Sequence, residues 1–144
     1  MATKTGFLDR IARTPLVFDG AMGTMIYERG VFINACYDEL CLTRPELILT
    51  IHQEYVEAGA DVIESNTFGA NRMKLAAFGL ADKVEAINRA GIRLARKAAG
   101  DDVLVAASVQ AVNKTSNASQ RVAARLRFVE GACIMQGKGR RCVR

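Results

Sequence analysis

Asp61-Val62-Ile63-Glu64-Ser65 and, about forty residues on, Val103-Leu104-Val105-Ala106-Ala107-Ser108-Val109 decide the fold. The first segment reads as a strand that follows Gly59 after a short turn. The second is a continuous apolar run, which suits a parallel strand covered on both faces. Between them, residues 70–78 predict a short helix ending at Gly79. Val84, Ile87, Gly91, Leu94 and Ala98 then recur at helical spacing and predict a longer helix, which Gly100 closes before the Asp101-Asp102 turn.

The reading extends backwards in the same way. Leu47, Ile48, Ile51, Tyr55 and Ala58 are helically spaced and end at Gly59. Thr43-Arg44-Pro45-Glu46 predicts the start of that helix as a capping box, with Pro45 in a first turn where its missing N–H costs no helix bond. Residues 21–42 read as irregular, with a helical turn around Met25–Arg29 between the breakers Gly23 and Gly30. Leu16-Val17-Phe18, ending in Asp19-Gly20, predicts a first strand and turn. The order is therefore β-α-β-α-β, which argues an α/β fold on a parallel sheet, either a barrel or doubly wound. No GxGxxG follows the first strand and no GxxxxGK[ST] occurs, so dinucleotide and P-loop readings lose support.

The chain has 144 residues, one domain by size, with half of them hydrophobic and 24% charged. That balance suits a packed core and argues against disorder. No apolar run is long enough to span a membrane, and MATKTGFLDRIARTP has no secretory apolar stretch, so the expected compartment is the cytoplasm. The net charge of +5 is unevenly placed. Residues 1–109 carry 12 Lys+Arg and 14 Asp+Glu, whereas residues 110–144 carry 8 Lys+Arg and only Glu130 as an acid. Such asymmetry marks either a nucleic-acid arm or a segment not selected with the body.

The cysteines are Cys36, Cys41, Cys133 and Cys142, and the one histidine is His52. The cysteine spacings do not resemble a zinc finger, and buried inert thiols are the better reading. His52 lies mid-helix and reads as solvated or packed. Met22 and Met25 read as core or pocket wall. Arg89, Arg93, Arg96 and Lys97 read as a solvated helix face.

In barrels, chemistry gathers at the C-terminal ends of the strands. Here those ends are Asp19-Gly20-Ala21-Met22-Gly23-Thr24, Glu64-Ser65-Asn66-Thr67-Phe68 and Ser108-Val109. The first two are polar, small and Gly-bearing, as a site for a small polar ligand requires. The plainer readings stand beside this one: Asp19-Gly20 as a simple turn, and Ser65, Asn66 and Thr67 as satisfied loop polars.

Val17 to Thr24 resembles the opening of homocysteine S-methyltransferase domains, and Glu57 to Arg72 resembles their second strand and its loop. Such domains occur in cobalamin-dependent methionine synthase and in bifunctional homocysteine methyltransferase/methylenetetrahydrofolate reductases, which Cys36–Pro45 resembles most. The likeness runs from about residue 7 to residue 109. It implies about three βα units from the N-terminal portion of a (β/α)8 TIM barrel. It also implies methyl transfer to the thiol of L-homocysteine, giving methionine. The partners would be homocysteine and a methyl donor, either methylcobalamin with methyltetrahydrofolate or S-methylmethionine.

The same resemblance implies roles for residues. Asp19 would hold the substrate ammonium, and Gly20 would let backbone approach the amino acid closely. Ser65 stands where the family has Thr, a donor toward the substrate carboxylate, with Asn66 and Thr67 orienting the loop. Glu64 is assigned no contact. The family's zinc, which keeps the substrate sulfur as thiolate, is held by three later cysteines, one in an Asn-Cys context and two adjacent. Cys36, Cys41, Cys133 and Cys142 match none of them.

After Val109 the family's Gly-Pro turn is replaced by Gln110-Ala111-Val112-Asn113 and an Arg-rich segment. Residues 110–144 are therefore expected to be a basic tail of shifted reading frame, in which Val122, Leu126, Val129 and Cys133 could share one helix face over 121–135. On this reading the missing barrel strands lie outside the chain, which is inactive alone. Two alternatives stand beside the enzyme: a non-catalytic amino-acid-binding fragment, and nucleic-acid binding through the tail. The latter is disfavoured by a single aromatic, Phe128, and the absence of a nucleic-acid motif.

Overall fold

The computed structural model of the protein describes residues 7–110. The elements are α1 (Phe7–Ile11), α2 (Met22–Glu28), α3 (Leu40–Thr43), α4 (Pro45–Glu57), β1 (Val62–Glu64), α5 (Arg72–Ala76), α6 (Val84–Ala99) and β2 (Leu104–Ala106). β1 and β2 pair in parallel, with Val62 opposite Leu104 and Glu64 opposite Ala106. The expected α/β order is present, but among the described residues the sheet has two strands rather than three.

The predicted first strand contracts to a single parallel bridge, Phe18 to Val62. Its hydrogen bonds show why. The Val17 carbonyl accepts from both Asp61 N and Val62 N, while the Val17 N–H donates to the Asp61 side chain at 2.9 Å. A carboxylate has taken the place of a main-chain acceptor, so the ladder does not propagate. The bridge still sets Phe18 and Asp19 against β1, and Asp19 N donates to Val62 O at 3.0 Å.

The capping box does not form. Thr43 is the last residue of α3, and its hydroxyl donates back to the Glu39 carbonyl at 3.2 Å. Arg44 then takes an extended φ of −139°, as the residue before a proline tends to, and α4 starts at Pro45 without a side-chain cap. Residues 21–42 are also more ordered than expected, since they hold α2 and most of α3.

α6 follows its predicted bounds closely, but its deepest line is Ile87, Gly91, Ala95 and Ala99, with Leu94 and Ala98 only half-buried. Small residues at four-residue spacing let the helix sit low on the sheet, where Ala95 and Ala99 pack with Ile63 and Val105. Its outer face carries exposed Arg89, Arg93 and Lys97, with Arg89 paired to Glu85 at 2.8 Å. α4 packs alongside α6, and its Ile48 and Ile51 join Ile26, Val31, Leu40 and Cys41 in a second cluster. A third cluster joins Cys36, Ala70, Leu75, Leu80 and Ile87 under α5. Gly59 and Gly100, at φ 96° and 58°, turn the chain after α4 and α6 into the two strands.

The helix expected over 121–135, Cys133 and Cys142 lie outside the described residues. Among the described residues no helix is long and apolar enough to cross a membrane.

Candidate functional site

The parallel register places the carboxyl ends of the bridge segment, β1 and β2 side by side, so Asp19, Glu64 to Thr67 and Ser108 meet at one edge of the sheet. Asp19 is half-buried, and both its carboxylate oxygens accept from the Glu64 N–H at 3.0 Å. Its carboxyl is pushed up to about 6, chiefly by burial and further by the Glu64 charge, against the lowering effect of the Glu64 N–H. Gly20 lies against Tyr55, where a Cβ would stand 3.0 Å from the phenol oxygen. A side chain there would press on the ring, so glycine keeps this turn low over the strand ends.

Ser65 and Thr67 are each 3% exposed. Their hydroxyl oxygens are 2.7 Å apart, Thr67 Oγ1 donates to the Ser108 carbonyl at 2.9 Å, and Ser65 Oγ accepts from Ser108 N at 3.2 Å. Asn66 faces the other way. Its Nδ2 donates to the Tyr37 carbonyl at 2.7 Å and lies 3.7 Å from Cys41 Sγ. It thereby ties the loop after β1 to the segment between α2 and α3. Asp38 from that segment accepts from Gly69 N at 2.9 Å.

Beside these residues opens a cavity of about 400 Å³, walled by Met22, Tyr37, Phe68, Leu75 and Phe78 and edged by Asp38, Asn66, Lys74 and Gln110. Of the five residues singled out in the sequence, Asn66 lines it. Asp19, Gly20, Ser65 and Thr67 gather at the strand ends next to it. Sequence reasoning left out the parts played by Glu64, Ser108, Asp38 and Tyr37. Ser108 reads as a strand end, which is the signal the sequence offers, whereas its bond to the Glu64 carboxylate depends on the parallel register.

The described side chains do not fit a zinc ion. Among them no three His, Cys, Asp or Glu groups converge. Cys36 and Cys41 are free and buried, as read from sequence. Burial pushes the Cys41 thiol up to about 12, and its Sγ donates to the Asn66 carbonyl at 3.3 Å, so it is a protonated packing group rather than a thiolate ligand. His52 is fully buried rather than solvated, and among the described residues neither ring nitrogen has a hydrogen-bond partner.

The family model described as Homocysteine S-methyltransferase matches residues 16–130. The methionine synthases of Mycobacterium leprae and Mycobacterium tuberculosis are 37% and 36% identical to this chain over 103 residues. That is 67% of this chain but only 8% and 9% of those proteins. The homocysteine methyltransferase MmuM from Escherichia coli aligns in its oxidized form with a TM-score of 0.61 and 29% identity, over 69% of this chain and 39% of that one. Its metallated form aligns with a TM-score of 0.60 and 28% identity, over 70% and 40%. With 115 of 144 residues matched by the family model and an α/β structure that superposes on part of a homocysteine methyltransferase, the chain belongs to the homocysteine S-methyltransferase family.

Proposed function

We propose that this chain supplies the amino-acid-binding strand ends of a homocysteine S-methyltransferase, an N-terminal portion of a (β/α)8 barrel. The reaction is methyl transfer to the thiol of L-homocysteine, forming methionine. Asp19 holds the substrate ammonium, Gly20 keeps the backbone close to it, and Ser65, Asn66 and Thr67 fix the loop over the site. The observation that carries this reading is the Asp19 carboxylate. It is partly desolvated, set against a second carboxylate, and without a basic partner among the described residues. An ammonium group supplies the missing countercharge.

The chain's own residues bind and orient. The later strands and domains that complete such an enzyme supply the rest, including any zinc centre, and the isolated chain binds without turnover. Two donor classes fit this reading, methylcobalamin with methyltetrahydrofolate and a small sulfonium such as S-methylmethionine.

Titration calorimetry with L-homocysteine tests the reading. Asp19→Asn keeps an acceptor for the Glu64 N–H and removes the charge. It is expected to weaken binding by roughly ten- to a hundredfold, the value of one charge-assisted bond. Wild-type affinity in this variant, or no binding by the wild type, would overturn it. Stability supplies a second check. The folded-state carboxyl titrates near 6 against 3.8 for the free group, so its favourable contribution is complete below 3.8 and lost as pH rises through 6. Asp19→Asn therefore loses less stability than the wild type between pH 4 and pH 7. Solvent screening limits the difference to about 1–2 kcal/mol in urea unfolding.

A further inference from the structure

Ser108 uses all three of its polar atoms on the end of the neighbouring strand. Its N–H donates to Ser65 Oγ, its carbonyl accepts from Thr67 Oγ1, and its hydroxyl donates to Glu64 Oε2 at 3.0 Å. A hydroxyl has one hydrogen to give. Thr67 gives its hydrogen to the Ser108 carbonyl, so in the 2.7 Å contact Ser65 is the donor and Thr67 the acceptor. Donation runs one way, from Ser65 to Thr67 to Ser108. Neither hydroxyl keeps a hydrogen for a substrate carboxylate, and both are buried. Their work is to lock the loop after β1 to the residue that follows β2.

Glu64 differs. Its N–H belongs to Asp19, and its half-buried carboxylate is caught by the Ser108 hydroxyl. A free glutamate ranges over several rotamers, and this bond removes that freedom. Among the described residues no basic side chain pairs with Glu64 or Asp19.

We infer that Ser108 is a positioning residue for the amino-acid site: its hydroxyl fixes the Glu64 carboxylate beside Asp19, so that a substrate ammonium meets two carboxylates held in one geometry. The ammonium rests on the proposed homocysteine reading, whereas the fixing of Glu64 does not.

The test uses the full chain with Ser108→Ala, Ser108→Thr, Glu64→Gln and the Ala/Gln double variant. The Asp19 carboxyl is followed by carbon-13 NMR without ligand. Glu64→Gln removes a neighbouring negative charge and lowers the Asp19 midpoint by about half a unit or more. Ser108→Ala releases Glu64 and lowers it in the same direction, the double variant lowers it no further than Glu64→Gln, and Ser108→Thr restores it.

Binding is then compared for L-homocysteine and 4-mercaptobutyrate, which lacks the amine. Ser108→Ala is expected to weaken the first about tenfold and leave the second unchanged. An Asp19 midpoint that ignores Ser108→Ala, additive effects in the double variant, or equal loss for both ligands would overturn the inference. A midpoint that moves as described in a chain that never binds homocysteine supports the role of Ser108 and defeats the proposed function instead.

Discussion

Gly91→Ala is expected to destabilise the chain by about 2–3 kcal/mol, although alanine is the better helix former by about 1 kcal/mol. Gly91 sits mid-way along α6 with its Cα facing the loop after β1. A Cβ there would fall well inside contact distance of Thr67 Cγ2, and 3.4 Å from Cys41 Sγ. Thr67 cannot swing away freely, because its hydroxyl is held by Ser65 and by the Ser108 carbonyl. The added methyl therefore either lifts α6 or breaks the hydroxyl chain. Thr67→Ser removes the offending methyl and keeps the hydroxyl, so the double variant Gly91→Ala/Thr67→Ser should recover to within about 1 kcal/mol of the wild type. Urea unfolding of the three chains measures this. A single Gly91→Ala variant as stable as the wild type would show that α6 does not lie this close to the loop.

His52→Leu is expected to act in the opposite direction. The imidazole is fully buried on α4 and neither nitrogen has a partner among the described residues, which costs about 1–3 kcal/mol for an unmade hydrogen bond. Leucine removes those groups at the expense of some misfit in shape, so a gain of about 1–2 kcal/mol is expected at pH 7.5. The gain should grow at lower pH. Burial holds the folded imidazole at about 4, against 6.5 when free. The unfolded chain thus takes up a proton between pH 6.5 and 4 that the folded chain refuses. The wild type loses up to about 3 kcal/mol across that window and none above it, whereas His52→Leu is spared this loss. His52 is the chain's one histidine, so its ring signal in proton NMR titrates unambiguously. A midpoint near 6.5, or a leucine variant that loses stability at pH 7.5, would mean that the ring is hydrated or bonded.

How much of this was legible in the sequence differs from element to element. α6 and the end of α4 were readable because apolar spacing and a following glycine act within a few residues of chain. β1 and β2 were readable as apolar runs, though each lost residues at its ends. The first strand was overread, since nothing in Leu16-Val17-Phe18 reveals that the Asp61 carboxylate will take the Val17 N–H. The Thr43 cap was misread for a similar reason, because its hydroxyl had a prior claim from Glu39 inside α3.

At the site, the residue types and their gathering at strand ends could be anticipated, but the direction of each hydrogen bond could not. Ser65 and Thr67 read alike as small polar loop residues until Ser108 fixes which of them donates. His52 carried no signal at all, because a helical register does not say whether a neighbouring element covers that face.

The placing of β1 has a consequence for how the molecule comes together. Its partners, Phe18 and β2, lie about forty residues before and after it, so no contact in this sheet is local. Helices such as α4 can form from their own stretch of chain, but the sheet must wait for two large loops to close. During synthesis Ile63, fully buried at the end, waits for Ala95, Ala99 and Val105 until residues near 106 have left the ribosome. Folding should therefore be limited by the closing of the α5–α6 excursion onto β1, and an apolar strand awaiting a late partner is where a chaperone would be expected to bind.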